Sequence, residues 1–132
     1  MLYREIIAIE TEKDSVYDIT EKIKETIKKS GMNEGLCNIF LKGTTAGLIL
    51  NENEQMLNQD FLRLFRNAAD EKRLYNHPSN AFSHLRASML DTEKTIPLSN
   101  GKLILGTWQN VLLWEFDVEQ RKREIIVTVS GL

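Results

Sequence analysis

Residues 36–50 read LCNIFLKGTTAGLIL, which is two short apolar runs on either side of a polar break. The runs Leu36–Leu41 and Thr45–Leu50 each have the length and composition typical of a β-strand. The intervening Lys42-Gly43-Thr44 is typical of a short turn. We therefore expect two neighbouring strands joined by this turn.

Further strands are predicted toward both ends of the chain. Ser99-Asn100-Gly101 predicts a hairpin, because Asn-Gly tolerates the positive φ angles of a type I′ turn. A charged turn through Asp117–Arg123 joins the last two strands. The strands predicted outside the central pair are Leu2–Glu10, Thr95–Leu98, Lys102–Leu105, Val111–Phe116 and Glu124–Val129.

Three helices are predicted between these strands. The first begins at a cap provided by Asp14 or Ser15 and ends at Gly31. Its apolar positions fall on one face and are Val16, Ile19, Ile23 and Ile27. The second covers Gln55–Ala69, where an apolar stripe recurs at helical spacing. The third runs from a cap at Asn80 to Leu90.

Length and element order define the expected fold class. A chain of 132 residues with 42% hydrophobic and 27% charged residues has the composition of one ordinary folded domain, residues 1–132. Strands dominate both ends and helices lie between them, which favours an α+β fold over regular alternation. We expect a single compact domain with mixed or antiparallel, β-sandwich-like sheets and about three helices.

Charge and cysteine content exclude several classes of function. Seventeen basic and nineteen acidic residues give a net charge of −2, whereas a duplex-binding surface normally has a basic excess, so no nucleic-acid partner is expected. No apolar run approaches the ~20 residues of a membrane span. Cys37 is the only cysteine, which excludes an intramolecular disulfide and fits a reducing compartment. A cytoplasmic protein without a membrane partner is predicted.

The candidate chemical groups lie at the ends of predicted elements, because the strong catalytic motifs are absent. His77 and His84 are the only histidines. A helical wheel separates His84 from the bulkier side chains Phe82, Leu85 and Met89 and places it beside Ala81, Ala87 and Ser88. His84 therefore either contacts a ligand or is an exposed or packing histidine. Two histidines without a third ligand specify no metal.

Carboxylates and an indole extend this set. Asn51-Glu52 directly follows a predicted strand and Asp60 lies in the next helix, so the two carboxylates could hold a hard cation such as Mg²⁺. Alternatively, the charge of Glu52 or Glu54 favours the helix N-terminus and Asp60 is solvated. Trp108-Gln109 lies between two strands, where Trp108 contributes to a site or fills core or interface space.

The order of these motifs resembles the YjbQ-type family, also called secondary thiamine-phosphate synthase, over nearly the whole chain. The resemblance implies a homotrimer with a polar site around signature histidines. The segments that carry it are Thr44–Leu48, Asn51–Asn53, Asn80–Ser88, Ile96-Pro97, Gly101–Leu103, Leu105–Gln109 and Glu115–Asp117.

The resemblance also implies an activity and a set of site residues. The reaction joins a hydroxymethylpyrimidine diphosphate to a thiazole phosphate and releases pyrophosphate, so a small phosphorylated ligand is expected. The implied catalytic residues are His77, His84, Glu52 and Asp60, and His77 and His84 are the implied ligands of a weakly held divalent ion, Mg²⁺ or Zn²⁺. The implied substrate-binding residues are Thr44, Thr45, Asn51, Arg86, Trp108 and Gln109.

This sequence departs from the family pattern at position 43, where Gly43 stands in place of a signature histidine. The synthase activity is therefore expected to be weak, reduced or lost. A non-catalytic phosphate or small-molecule binding module and a purely structural trimer are the alternatives. Gly43→His is expected to raise affinity for metal or phosphate, unless a positive φ angle at Gly43 makes the added side chain costly.

Overall fold

Eight strands and three helices follow one another along residues 1–132, all of which the computed structural model describes. None of the three helices combines the length and apolar character needed to cross a membrane. The elements are β1 Leu2–Thr11, β2 Ser15–Asp18, α1 Thr20–Ser30, β3 Gly35–Leu41, β4 Ala46–Asn51, α2 Gln55–Ala68, α3 Ala81–Met89, β5 Glu93–Ser99, β6 Lys102–Leu103, β7 Asn110–Glu115 and β8 Arg121–Gly131.

The strands form two antiparallel sheets that share one core. The larger sheet has the order β1-β8-β3-β5-β6 and the smaller has the order β2-β7-β4. Alternate side chains of both sheets, such as Ile39 and Val127 in the larger and Leu48 and Leu113 in the smaller, are fully buried in one cluster. Helix α1 adds Ile23 and Ile27 to that cluster. The predicted α+β, sandwich-like fold in a single compact domain is confirmed.

The second face of the smaller sheet is covered by α2 and α3. The side chains that alternate with the main core on β7 point to this face, where Trp114 and Phe116 pack against Phe65 of α2. The ring of Phe65 meets those of Trp114 and Phe116 edge-on, at centroid distances of 5.2 and 4.9 Å. The smaller sheet is therefore buried on both faces and anchors α2 and α3, of which α3 carries His84.

The predicted start of the first helix is wrong. Residues Ser15–Asp18, expected to be helical, form β2 and pair with β7, and α1 begins only at Thr20. Asp18 accepts a hydrogen bond at 3.0 Å from the backbone N–H of Thr20. Pairing with a buried strand outweighs the helical spacing of the apolar residues here. The predicted end is confirmed, since Gly31 caps α1 in the left-handed conformation with φ 69°.

The prediction that the two central strands are neighbours is also wrong. Strand β3 pairs with β5 and β8, whereas β4 pairs with β7, so the segment 42–45 crosses from one sheet to the other. Leu41 and Ala46 still bury their side chains in the same core, from opposite sides. The predicted hairpin is confirmed, because β5 pairs with β6 and Asn100 and Gly101 have φ angles of 53° and 71°.

Helix α3 packs against the core mainly through its small side chains and Phe82. Leu85 and Met89 are 46% and 48% exposed, while the small residues Ala81 and Ala87 are buried together with Phe82. Close approach to β4 explains this choice, because a Cβ on Gly47 would lie 2.6 Å from Cβ of Leu90. Small side chains let α3 lie against the sheet, and this placement brings His84 to the start of β4.

Candidate functional site

His77 and His84 come together beside a small cavity. Their rings are 4.9 Å apart between centroids and meet edge-on at 61°. His77 is exposed in the segment before α3, and His84 is half-buried on the helix. The cavity measures about 240 Å³ and is lined by both histidines with Tyr75, Asn76, Ala81 and Leu85. Two imidazoles therefore face one opening of a size suited to a small ligand.

His84 also lines a second cavity of about 380 Å³ on its other side. Gly43 and Thr44 from the segment between β3 and β4 form one wall of this cavity, and Ser88 and Asp91 from the end of α3 form another. His84 thus lies between two neighbouring cavities. The predicted site residues Thr44, His77 and His84 gather at this end of the smaller sheet.

Gly43 has a backbone conformation that disfavours any side chain. Its φ angle is +130°, and a Cβ built there would lie 2.5 Å from Nη1 of Arg123. A histidine at this position, with the backbone unchanged, would therefore point at the guanidinium of Arg123. The positive φ angle that would make Gly43→His destabilising is therefore present in this structure.

Arg123 belongs to a buried polar network at the same end of the sheet. Its Nε and Nη2 each donate to a carboxylate oxygen of Glu115 at 2.6 Å, and Nη2 also donates to the hydroxyl of Thr45 at 2.6 Å. Thr11 donates to Glu115 at 2.6 Å from β1. Because these charges are paired and hydrogen-bonded, the free-energy cost of burying them is offset. Thr45 is therefore occupied by contacts within the chain.

This ion pair was missed in the sequence, although a signal was present. Arg123 precedes Ile125, Val127 and Val129 at a spacing of two, which places it on the core face of β8. Glu115 lies at the end of the apolar run of β7. A charged residue on the buried face of a strand indicates that a residue of opposite charge is buried beside it. Here β8 supplies Arg123 and β7 supplies Glu115.

Asp117 extends the network to Arg121. Burial acts to raise the pKa of Asp117, but hydrogen bonds from Arg121, the Val118 N–H and Thr45 outweigh it, so the pKa lies below its ordinary value. Arg121 donates through Nε to Oδ2 of Asp117 at 2.9 Å. The carboxylate is therefore held in its charged form beside the cavities.

Arg86 lies in a different environment from the histidines. Its Nε donates to the carbonyl oxygen of Ala69 at 3.0 Å and its Nη1 donates to Asp14 at 3.3 Å. The guanidinium lies over the ring of Phe82, and burial lowers its pKa, which Asp14 partly offsets. It lines a separate cavity of about 570 Å³ at the end of α2.

Four other predicted site residues lie at the opposite end of the smaller sheet. Asn51 ends β4 opposite Asn110 of β7, and Glu52 follows directly. Trp108, in the preceding loop, is 71% exposed, and Gln109 accepts the Gly106 N–H at 2.8 Å. The strand rise of ~3.3 Å per residue separates this end from Ala46 by roughly 17 Å. Asp60 is exposed on α2, 3.7 Å from Arg63.

The side chains do not fit a closed metal site within one chain. No group of three histidine, cysteine or carboxylate side chains comes together around a common point. His77 and His84 supply two nitrogen ligands, whereas a structural zinc site takes four protein ligands and a catalytic one takes three. Asp91 lines the cavity beside His84, but it does not complete a group of three ligands with the two histidines.

Comparisons with known proteins give consistent matches over the full chain. A UPF0047 protein of Synechocystis is 36% identical over 135 residues, covering 98% of this chain and 92% of the relative. The UPF0047 protein YugU of Bacillus subtilis is 34% identical, covering 92% and 93%. Sequence identity at this level extends across both sheets and the histidine segment.

Solved structures agree with the sequence matches. A YbjQ-like protein of unknown function from Sulfolobus solfataricus superposes with a TM-score of 0.95 at 34% identity, covering 100% of this chain and 99% of that one. A YjbQ/UPF0047 protein from Clostridium acetobutylicum has a TM-score of 0.90 at 32% identity, covering 96% and 99%. The family model described as UPF0047 protein YjbQ-like matches residues 5–132. The chain therefore belongs to the YjbQ-like UPF0047 family.

Proposed function

We propose that this chain is a weak thiamine-phosphate-synthase-like transferase that acts at the histidine pair. The observation that supports the proposal is the meeting of His77 and His84 at 4.9 Å between two cavities of about 240 and 380 Å³. These are the only two imidazoles of the chain. The larger cavity is formed by segments distant in sequence, since its walls include Gly43 and Ser88, which are 45 positions apart.

The chemistry of the reaction explains the need for such groups. Joining a pyrimidine diphosphate to a thiazole phosphate forms a bond from the thiazole nitrogen to the pyrimidine's methylene carbon, breaks the bond from that carbon to the diphosphate oxygen and releases pyrophosphate. Hydrogen-bond donors fixed beside the departing oxygens stabilise the charge that develops there. His84, Thr44 and Ser88 carry side-chain groups that can donate to such oxygens from the walls of the cavities.

The proposed rate is low because one imidazole is absent. Gly43 supplies no side chain to the cavity wall, and Glu52 and Asp60 lie away from the histidines. Removing a single donor from a site that stabilises developing charge typically costs 10²–10³-fold in rate. We therefore expect slower turnover than in relatives with histidine at this position.

A second function, phosphate or small-molecule binding without turnover, is favoured by one observation. The acidic residues implied by the family resemblance do not join the histidines within one chain, so proton transfer there would depend on imidazoles alone. A binding module would retain affinity for pyrophosphate and show no product. The two functions therefore differ in turnover and agree in binding.

A direct product assay tests the proposal. Purified protein is incubated with hydroxymethylpyrimidine diphosphate and thiazole phosphate, and thiamine phosphate is measured by conversion to fluorescent thiochrome. We expect slow product formation that His84→Ala lowers at least tenfold. Met89→Ala is the matched control, because Met89 is half-exposed on the same helix and lines neither cavity. Absence of product together with pyrophosphate binding would favour the binding module.

We further propose a homotrimer, supported by the exposed apolar residues on the outer face of the larger sheet. Leu2 and Ile6 of β1 and Leu36 and Phe40 of β3 are all more than 40% exposed on this face. Clustered apolar surface of this kind is typical of protein contacts. Light scattering at micromolar concentration should give three times the chain mass of 15.2 kDa. A monomer mass would contradict the proposal.

A further inference from the structure

The cavity at the end of α2 has a buried arginine in its wall. It measures about 570 Å³ and shares no lining residue with the two cavities beside the histidines. Arg86 follows His84 by two positions on α3, so the two side chains leave the helix roughly 200° apart. The residues that line the cavity are Arg66, Asn67, Asp70, Glu71, Lys72 and Arg86. This cavity is therefore separate from the site of the proposed transferase.

The guanidinium of Arg86 is only partly satisfied by hydrogen bonds. An arginine side chain carries five N–H groups. Arg86 donates one from Nε to the carbonyl oxygen of Ala69 at 3.0 Å and one from Nη1 to Asp14 at 3.3 Å, so three N–H groups have no acceptor in the chain. The side chain is only 1% exposed, which leaves little room for water to replace the missing acceptors. A buried cation with unused donors therefore lies at this point of the fold.

Nη2 of Arg86 is the atom that opens to the cavity. The fully buried side-chain atoms that lack a hydrogen-bond partner are Oδ1 of Asn58 and Nε1 of Trp114. Nη2 makes no hydrogen bond and is not one of these two atoms, so part of it is accessible. Arg86 lines the cavity at the end of α2 and no other cavity. The accessible edge of its guanidinium therefore faces this cavity.

Two further cations line the same cavity. Arg66 donates through Nη2 to Asp14 at 2.9 Å, and its Nε and Nη1 make no hydrogen bond. Lys72 is exposed, and its ammonium group forms neither a hydrogen bond nor an ion pair. Asp14 is the one carboxylate that pairs with both Arg66 and Arg86. Two guanidinium groups therefore share a single negative charge, and the ammonium of Lys72 adds a further positive charge.

The two carboxylates that line the cavity are engaged by other groups. Both oxygens of Glu71 accept from the ammonium of Lys13 at 2.7 Å, and Asp70 accepts the backbone N–H of Lys72 at 2.8 Å. Burial lowers the pKa of Arg86, and the nearby carboxylates offset this effect only in part. A buried charge is stable only when it is paired. An anion in the cavity would therefore supply the countercharge that Arg86 lacks.

We propose that this cavity binds a phosphate group, to which Nη2 of Arg86 donates from the buried wall while Arg66 and Lys72 donate from the rim. Guanidinium and ammonium groups are the side chains that proteins use to bind phosphate oxygens. The volume of about 570 Å³ lies within the ~300–1,000 Å³ of small-molecule sites, so the ligand class is a phosphorylated small molecule. The proposal does not depend on the synthase reaction, since the site contains no histidine.

Side-chain NMR of the full chain tests the contact with Arg86. Protein labelled with ¹⁵N-arginine is titrated with inorganic phosphate at constant ionic strength. We expect the guanidinium resonances of Arg86 and Arg66 to shift and reach saturation. Those of Arg63, an exposed arginine on α2 that lines no cavity, should stay unchanged. An unchanged Arg86 resonance, or shifts that do not saturate and that Arg63 shares, would indicate an adventitious ion only and overturn the proposal.

Calorimetry on variants localises the binding. The titrations use the His84→Ala protein as parent, so that phosphate at the histidine cavities does not contribute. Arg66→Gln and Lys72→Gln should each weaken phosphate binding by about tenfold, the loss of one hydrogen bond to a charged group. Arg63→Gln is the matched control, because it removes the same charge one turn away on α2 and should bind phosphate as the parent does.

Both substituted side chains are exposed, and thermal melts establish that each variant is folded during the titration. Phosphate binding that Arg66→Gln and Lys72→Gln leave unchanged would overturn the proposal. So would the loss of all phosphate binding in the His84→Ala parent, because the anion would then belong to the histidine cavities. The NMR and calorimetric results measure binding alone, so an absence of thiamine-phosphate formation would count only against the proposed transferase.

Two other probes test the chemical class of the ligand. Acetate should shift the same Arg86 resonance more weakly than phosphate, because it carries less charge and fewer acceptor oxygens. Stronger binding of acetate would replace phosphate with a carboxylate and overturn the assignment. A glutamate-rich peptide should not compete with phosphate. Binding of the peptide without any response to phosphate would assign the cavity to an acidic protein partner and overturn the proposal as well.

Discussion

The two ends of strand β4 carry polar residues of opposite kinds. At its start, Thr45 joins Glu115, Arg123 and Asp117 in a buried network with hydrogen bonds from three other strands. At its end, Asn51 and Glu52 make local contacts, such as the 2.8 Å bond from the Glu52 N–H to the Asn51 side chain. Only the first of these ends is fixed by long-range charge pairs.

The polar residues at the start of β4 therefore stabilise the tertiary structure, whereas those at its end are free for other contacts. Removing a partner from a buried pair leaves an uncompensated charge, whereas exposed polar groups exchange one set of water contacts for another. Substitutions at the start of β4 should therefore affect stability strongly. Equivalent substitutions at its end should leave the fold unchanged.

The largest expected effect is that of Glu115→Gln. The change leaves Arg123 buried without its countercharge, and the free energy of unfolding should fall by about 3–5 kcal/mol. Urea unfolding followed by tryptophan fluorescence measures it. The control is Glu124→Gln on the neighbouring strand, whose exposed pair with Lys42 should contribute less than about 1 kcal/mol. Equal effects of the two changes would abolish the distinction between the buried network and surface pairs.

Gly43→His should lower the free energy of unfolding by about 2–3 kcal/mol, because it combines an unfavourable φ with a steric conflict at Arg123. Because of this strain, we expect Gly43→His alone to bring no tight metal binding. Differential scanning calorimetry and zinc titration of the same samples measure both quantities. A stable variant with tight zinc binding would show that segment 42–45 readily adopts another conformation.

Asp117→Asn should produce a smaller, pH-dependent loss of about 1–2 kcal/mol at pH 7. The folded pKa of Asp117 is below its ordinary value of 3.8, so its charged form stabilises the native state above that value. This stabilisation is lost as the pH falls through the folded pKa. Urea unfolding at pH 7 and at successively lower pH values should give curves for the two proteins that converge in acid. A constant difference would indicate lost packing instead of lost charge.

The smallest effect is expected at the far end of β4. Trp108→Ala should change the free energy of unfolding by no more than about 0.5 kcal/mol in the separated chain, because the indole is 71% exposed. Chemical unfolding at low protein concentration measures this value. A loss above 2 kcal/mol there would contradict the exposed position of Trp108, and a loss that appears only at higher protein concentration would indicate that a contact between chains buries the indole.

Local sequence patterns were sufficient to predict the elements whose structure depends on residues close in sequence. The β5–β6 hairpin follows from Asn100-Gly101, and α2 follows from its apolar stripe, because both depend on residues close in sequence. Segment 42–45 illustrates the limit, since a short turn and a crossing between sheets have the same local composition. Only the pairing of β4 with the distant β7 separates the two possibilities.

The candidate site likewise has one part that the sequence pattern predicted and another that it did not. Helical spacing placed His84 away from the bulky side chains, but its meeting with His77 depends on the path of residues 70–80, which has no regular period. The conformation of Gly43 toward Arg123 requires both the crossing segment and β8 to be placed. Contacts that combine distant segments therefore could not be predicted from periodicity.

The position of β8 has a consequence for how this protein is made. This last strand lies between β1 and β3 and pairs with β1 along its whole length, from Leu2 opposite Ser130 to Thr11 opposite Arg121. During synthesis, β1 and β3 leave the ribosome before β8, the strand that lies between them. They cannot pair with β8 until residues 121–131 have emerged. Folding of the larger sheet is therefore dominated by contacts distant in sequence and is slow for a domain of this size.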